Sequence, residues 1–141
     1  MYKMMIMCVL FVSLVEAKRF DVNNGVVIDN ATKMMWQKSD DNKKRSWRSS
    51  KKYCQKLKFA GFSDWRLPNI DELVSITDKN SVHPTIHSVF ESKQVYYWSS
   101  SSVVKPNEKV NAWGVLFKYG YNRWNDKNDK NFARCVRDYR K

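Results

Sequence analysis

The segment Ser63–Leu73 restricts the local conformation of this chain more strongly than any other stretch. Pro68 disfavours the α region for the residue before it, so the chain enters the segment extended or turning. Asn69 and Glu72 have the spacing of a helix N-cap and its capping-box partner. The apolar residues that follow predict a helix over Ile70–Thr77. The segment therefore predicts a structural corner rather than an active site.

Trp65 lies in the middle of this corner, and its size predicts a buried anchor whose indole N–H needs an acceptor. Asp64 and Arg66 flank it in the sequence. We expect these two side chains to form a charge-assisted pair with each other and to brace the corner.

The N-terminal residues 1–17 have the pattern of a secretory signal peptide. Lys3 supplies the positive charge, an apolar run follows over Met4–Val15, and Ala17 ends a site that a signal peptidase reads. The run is shorter than the roughly 20 residues that a permanent transmembrane helix needs. We therefore expect residues 18–141 to form one exported domain with no transmembrane segment.

Two cysteines remain once the predicted signal peptide is removed, Cys54 and Cys135. Disulfides persist in the oxidising compartments that exported proteins reach, so a structural disulfide between them is the favoured interpretation. The alternative is a catalytic thiol, which needs a base nearby. Only His83 and His87 are available for that role.

The formal charge of +12 is large for 141 residues. Such a surface attracts polyanions and also keeps a protein soluble by self-repulsion. For an exported protein the available polyanions are acidic glycans, lipopolysaccharide, teichoic acids, extracellular DNA and anionic membrane surfaces. The alternative is a protein that is basic without a specific partner.

The pattern before the corner predicts a β-hairpin and a helix. Gly25–Asp29 and Met34–Gln37 are short β-type runs separated by a turn, with Trp36 facing the core. Ser46 has the residue type of an N-cap, and a helix is predicted over Trp47–Phe59.

One face of this first helix is predicted to be strongly basic. Residues four apart stack on one side of a helix, and like charges at that spacing cost the free helix a few tenths of a kcal/mol each. The cluster is therefore the best sequence signal for an anionic ligand, and an ordinary solvated face is the alternative. The predicted polyanion-binding residues are Lys44, Arg48, Lys52 and Lys56 at spacing four, with Arg45 and Lys51 in support.

The remaining apolar runs predict strands. Val95–Ser99 is rich in aromatic and β-branched residues, and Val110–Tyr119 alternates like a central strand buried on both sides. Tyr121–Trp124 follows as a hairpin partner, and Phe132–Arg137 is the last predicted strand.

Several of these pieces together resemble the C-terminal domain family of the Legionella collagen-like protein (Lcl). The resemblance is carried by the run from Gly61 to Leu73, by ATKMMWQ upstream at 31–37, and by Tyr97–Ser101 and Arg134–Arg137 downstream. The family often carries a glycine in the hairpin turn where this chain has Lys33.

The resemblance implies a fold and an activity. The fold is α+β and C-type-lectin-like, with a small twisted antiparallel sheet, two helices and one disulfide, over residues 18–141. The activity is attachment to sulfated glycans by a bacterial protein located in the periplasm or outside the cell. An exported binding module for anionic glycans or other envelope polyanions is therefore our functional prediction.

Two weaker signals concern metal ions. Calcium-dependent lectins carry a Pro-Asn loop and a later Trp-Asn-Asp, which here single out Asn107, Asn125 and Asp126 as oxygen ligands. Lys105 stands where a first acidic or amide ligand belongs, which argues against calcium. His83 and His87 are four residues apart, but Pro84 lies between them and no third ligand is evident. We expect no cofactor.

Other function classes receive less support. The sequence has no Gly-rich phosphate loop and no nucleophile elbow, so we do not expect an enzyme. We also expect no specific nucleic-acid partner. The main alternative to a binding module is a periplasmic structural or envelope-associated domain without a specific ligand.

Overall fold

The computed structural model describes residues 18–107 and 110–139. The predicted signal peptide 1–17 lies outside the described residues and stays a prediction. The described elements are β1 Phe20–Asn23, β2 Val26–Asp29, β3 Met34–Gln37, α1 Trp47–Lys56, α2 Ile70–Ser75, β4 Tyr96–Ser102, β5 Asn111–Leu116, β6 Tyr121–Asp126 and β7 Val136–Asp138. No helix in these ranges is long and apolar enough to cross a membrane.

The strands form two small antiparallel sheets, so the expectation of a single sheet is wrong. One sheet has four strands in the order β1-β2-β3-β7, and the other has three in the order β4-β5-β6. The predicted last strand Phe132–Arg137 is divided between them. Phe132 pairs with Tyr97 of β4, whereas only Val136–Asp138 continues as β7 beside β3. The residues between them connect the two ladders, and the Cys135 carbonyl accepts the Gln37 N–H of β3 at 3.1 Å.

The predicted β2–β3 hairpin is confirmed. Val27 lies opposite Trp36, and both side chains are fully buried. Lys33 ends the connection with a φ of 59°, in the left-handed region where a side chain is strained. The turn therefore has the conformation that favours glycine, although this chain places a lysine there.

Both helices begin at their predicted caps and end early. The hydroxyl of Ser46 accepts the Ser49 N–H at 3.3 Å and starts α1. That helix ends at Lys56 rather than Phe59, because Phe59 pairs with Phe62 in a tight turn. In α2 the Asn69–Glu72 capping box is present in both directions.

The end of α2 has a local cause. The hydroxyl of Ser75 donates to the Glu72 carbonyl at 2.6 Å, and that of Thr77 donates to the Val74 carbonyl at 2.7 Å. Such bonds offer the backbone an alternative to the helical ladder. The helix therefore stops at Ser75, two residues before the predicted Thr77.

The corner is anchored by Trp65 as predicted, but its ion pairs differ from the expectation. The indole is 2% exposed and donates to the Phe59 carbonyl at 3.1 Å. Asp64 pairs with Arg137 and not with Arg66. The reason is that the backbone of the corner pairs with Val136, which brings the terminal strand alongside.

Cys54 of α1 and Cys135 form the predicted disulfide, with both residues fully buried. The bond connects the first helix to the residue that precedes β7. It lies in an apolar cluster with Trp65 and Trp98, while a second cluster surrounds Trp36. The first helix is therefore joined covalently to the segment that enters β7.

Candidate polyanion-binding surface

Helix α1 presents a row of exposed cations at spacing four, formed by Arg48, Lys52 and Lys56. Lys44 does not belong to this row, because it precedes the N-cap and has no helical conformation. Its ammonium lies 5.8 Å from the ring of Phe132 instead. The sequence prediction of one four-residue stripe is corrected to three residues on the helix and one beside it.

Arg45 is engaged within the fold. Its guanidinium donates twice to the Asp41 carboxylate, at 2.9 and 2.5 Å, and lies 3.9 Å from the ring centroid of Tyr53. The bond from Asp41 raises the pKa of Arg45 above its ordinary value. Partial burial alone would raise the pKa of Asp41, but the bonds from Arg45 hold it below its ordinary value. The pair is neutral overall, so Arg45 adds little positive charge to the surface.

Lys51 lies beside the basic row and contacts Trp47 instead of an acid. Its ammonium is 4.5 Å from the indole centroid, and the ammonium of Lys127 is 4.3 Å from the same centroid. The orientation of the indole is fixed by a hydrogen bond from its N–H to the Ser99 carbonyl at 2.8 Å. A half-buried tryptophan with two cations against its ring therefore borders the basic row.

Lys127 is the basic residue near this surface that the sequence analysis missed. It belongs to the turn after β6 and also donates to the Ser102 hydroxyl at 2.7 Å. Its position next to α1 follows from the backbone bond between the Trp47 N–H and the Lys127 carbonyl, at 3.0 Å. The two residues are far apart in the chain, so no local sequence pattern indicates this contact.

The surface is unusual in its lack of acidic residues. From Asn42 to Ser63 the chain contains no aspartate or glutamate. In the described parts of the chain, Arg48, Lys52 and Lys56 have no ion-pair partner. The positive charge of α1 is therefore directed to solvent.

Several cations elsewhere in the fold have partners that hold the structure together. Arg19 bonds to the buried Asp29, and Lys93 bonds to Asp40. Arg134 is fully buried and donates to the backbone carbonyls of Gln37, Lys38 and Glu91. These cations thus have acceptors, whereas Arg48, Lys52 and Lys56 have no ion-pair partner among the described residues.

The residues of the calcium hypothesis show no assembled set of ligands. Asn107 is exposed in a loop, and the Asp126 carboxylate accepts the Asn128 N–H at 2.8 Å. The Asn125 amide oxygen lies 3.5 Å from an Arg123 nitrogen, which places a cation beside it. Within residues 18–107 and 110–139 no group of three or more His, Cys, Asp or Glu side chains is arranged to hold a metal. The calcium site stays a sequence-based prediction.

The two histidines have separate partners. His83 Nδ1 lies 2.8 Å from the Lys118 carbonyl oxygen. His87 lies between Arg19 at 3.3 Å and Asp78 at 3.8 Å. Each ring is therefore held by its own surroundings and not by the other imidazole.

Comparison with known families identifies the fold unit. The family model for the Lcl C-terminal domain matches residues 25–137. The chain belongs to the Lcl C-terminal domain family. The match includes both helices, the disulfide and strands β2 to β6, with β7 up to Arg137, and leaves β1 outside. A search of curated proteins found no match.

Several residues of the Lcl motifs are explained by this structure as parts of the scaffold. Trp65 anchors the corner, Arg66 bonds to Glu72 and Asp138, and Arg137 bonds to Asp64. The motif residues of this Lcl domain thus hold the corner against the terminal strand. The basic face of α1 lies outside that set.

Proposed function

We propose that this Lcl C-terminal domain is an exported binding module that adheres to anionic glycans through the exposed face of α1. The observation that carries the proposal is the row Arg48, Lys52 and Lys56, which is exposed and unpaired among the described residues. Of the neighbouring cations, Arg45 is neutralised by Asp41, and Lys51 contacts the ring of Trp47.

The energetics of the helix support a ligand for this row. Like charges four residues apart repel each other, and a cation in the first turn opposes the helix macrodipole. Arg48 lies in the first turn of α1, which contains no acidic residue. The arrangement is therefore unfavourable for the free protein, and an anionic ligand would relieve it.

Two further features support the exported location. The sequence begins with a signal-peptide pattern, and the domain contains a buried disulfide. Disulfides of this kind are typical of proteins that fold in oxidising compartments. Acidic glycans are among the polyanions that such a protein meets.

A charge-matched pair of variants tests the proposal. The triple variant Arg48→Gln, Lys52→Gln, Lys56→Gln removes the row, and Lys79→Gln, Lys105→Gln, Lys130→Gln removes the same charge from exposed positions elsewhere. We expect the row variant to elute from immobilised heparin at clearly lower salt than the matched variant. Its thermal stability should not decrease, because it removes repulsion from the helix.

The alternative is an envelope-associated domain with no specific ligand. Its retention on heparin would depend on net charge alone, because exposed charges are screened by salt in the same way wherever they lie. Equal loss of retention in the two triple variants would therefore contradict the proposal.

A further inference from the structure

The surface beside α1 contains a row of three adjoining clefts. Three neighbouring clefts share their walls: Trp47 and Arg48 separate the first from the second, and Lys51 and Gln55 separate the second from the third. The first cleft is open, with a volume of about 560 Å³. We call these joined clefts the α1 groove.

The α1 groove follows one row of the helix. Trp47, Lys51 and Gln55 are four residues apart, so they lie above one another on the same side of α1. Eight residues of helix span roughly 12 Å at 1.5 Å per residue. The groove continues past both ends of this row, and it is therefore suited to a chain molecule rather than to a single small anion.

The chemical character of the groove changes along its length. At one end Arg48 and Lys51 approach Trp47, together with Lys127 from the turn after β6. At the other end the charge of Arg66 is balanced by Glu72 and Asp138. The groove is therefore most positive at the Trp47 end and less positive at the Arg66 end, where Lys51 is the lining cation without an acidic partner among the described residues.

Most of the remaining lining residues carry hydrogen-bonding groups, and Val110 and Leu67 are apolar. Amides and hydroxyls both donate and accept hydrogen bonds, as the hydroxyl groups of a sugar do. The half-buried indole adds an apolar surface of the kind that packs against a flat ring. The polar lining residues are Ser46, Gln55, Asn69, Ser100 and Asn128.

We propose that the α1 groove binds an extended anionic polysaccharide, with its charged groups at the Trp47 end and its hydroxyl groups toward Asn69 and Ser100. This inference rests on the proposed function and makes it specific. In this proposal Arg48, Lys51 and Lys52 contact the ligand in the α1 groove. Lys44, Arg45 and Lys56 do not line the groove. A ligand that carried only phosphate would leave the hydrogen-bonding groups of Gln55, Asn69 and Ser100 without partners among its hydroxyl groups.

Three single substitutions test the groove one part at a time. Asn128→Asp, Gln55→Glu and Asn69→Asp each add one negative charge with almost no change in shape. Asp serves as an N-cap as well as Asn does, so the third variant keeps the start of α2. Asn122→Asp and Asn80→Asp are matched controls at exposed positions away from the groove.

The measurement is the affinity of the purified protein for a heparin octasaccharide and for a sulfated disaccharide at low salt. One like charge a few ångströms from a bound anion is expected to weaken binding by about fivefold. All three groove variants should show this loss with the octasaccharide. With the disaccharide, Asn69→Asp should match its controls, because the short ligand stays at the Trp47 end.

The outcomes separate the two proposals. If the protein binds the octasaccharide but the groove variants behave like Asn122→Asp, the assignment of the ligand to the α1 groove is wrong. The exposed row of Arg48, Lys52 and Lys56 would then be the site by itself. If the protein binds no better than an unrelated protein of equal charge, both proposals are wrong. If a single-stranded oligonucleotide of equal charge displaces the octasaccharide, the polysaccharide assignment is overturned.

Discussion

The carboxylate of Glu72 accepts both terminal N–H groups of Arg66, at 2.8 and 2.7 Å. The same carboxylate accepts the backbone N–H of Asn69 at 2.8 Å. One side chain therefore completes the capping box of α2 and connects the corner to the helix. Arg66 also donates a hydrogen bond to the Asp138 carboxylate in β7, at 3.0 Å.

Replacing Glu72 with alanine is expected to lower the free energy of unfolding by about 2 kcal/mol, since a helix cap and a charge-assisted pair of partly exposed groups are lost together. Urea denaturation measures this change. Asp71→Ala is the matched control, because it removes the same charge from the same first turn without breaking these bonds. Equal destabilisation by the two variants would contradict the connecting role of Glu72.

Stability should fall in acid, and Asp40 is expected to contribute to the loss. Burial alone would raise the pKa of Asp40, but hydrogen bonds from Lys93, Tyr97 and the Asn42 N–H outweigh it and hold the pKa below 3.8. A carboxyl whose pKa is lower in the folded protein stabilises the fold above its unfolded pKa. This contribution is lost as the pH falls through the folded pKa.

The test for Asp40 is urea denaturation between pH 7 and pH 3. Asp40→Asn should lower stability at neutral pH and flatten the decrease below about pH 4, where an unperturbed aspartate becomes protonated. Asp129→Asn serves as the control, because that exposed carboxylate has no side-chain hydrogen bond in the described ranges. An unchanged acid slope in Asp40→Asn would show that other carboxylates dominate.

The disulfide is expected to be a large stabilising term. Its two cysteines are 81 residues apart, and closing a loop of that size is worth about 4.5 kcal/mol in the chain-entropy model. The double variant Cys54→Ala, Cys135→Ala should show a loss of this order. Because both residues are fully buried, reductant alone should leave the native protein oxidised, and reduction should follow only after denaturant is added. Rapid reduction without denaturant would contradict the burial of the bond.

Lys33 offers a stabilising substitution. A residue other than glycine in the left-handed region costs the folded protein about 1 to 2 kcal/mol. Replacing it with glycine removes this cost, but the larger conformational entropy of glycine in the unfolded chain offsets part of the stabilisation. Lys33→Gly should therefore raise the free energy of unfolding by about 0.5 to 1 kcal/mol. Lys79→Gly is the control, because Lys79 is exposed and has no positive φ. Thermal denaturation of both variants shows whether each substitution stabilises or destabilises the fold.

Local features of this fold could be predicted from the sequence. The N-caps at Ser46 and Asn69 and the β2–β3 hairpin depend on residues within a few positions of each other. The disulfide could also be predicted, because the signal-peptide pattern predicts an oxidising compartment and a mature chain with two cysteines. These predictions needed no knowledge of how distant segments pack.

Long-range pairing could not be predicted in the same way. Asp64 had a basic neighbour two positions away, but the terminal strand supplies Arg137 as its partner. The division of Phe132–Arg137 between two sheets has the same origin, since it depends on where β3 and β4 lie. On the candidate site, helical spacing identified the exposed row, whereas the pairing of Arg45 and the approach of Lys127 depend on loop packing.

The bond between Cys54 and Cys135 also determines how the domain resists mechanical load. The ligand proposed for α1 would pull on the helix, and the disulfide would transmit that force to the segment that enters β7. Cys135 is bonded to β3 by its backbone carbonyl and to Gln37 by its N–H. Tension applied at the basic face therefore reaches the segment beside the four-stranded sheet through a covalent bond. Helix α1 cannot separate from the domain as long as this sheet stays folded.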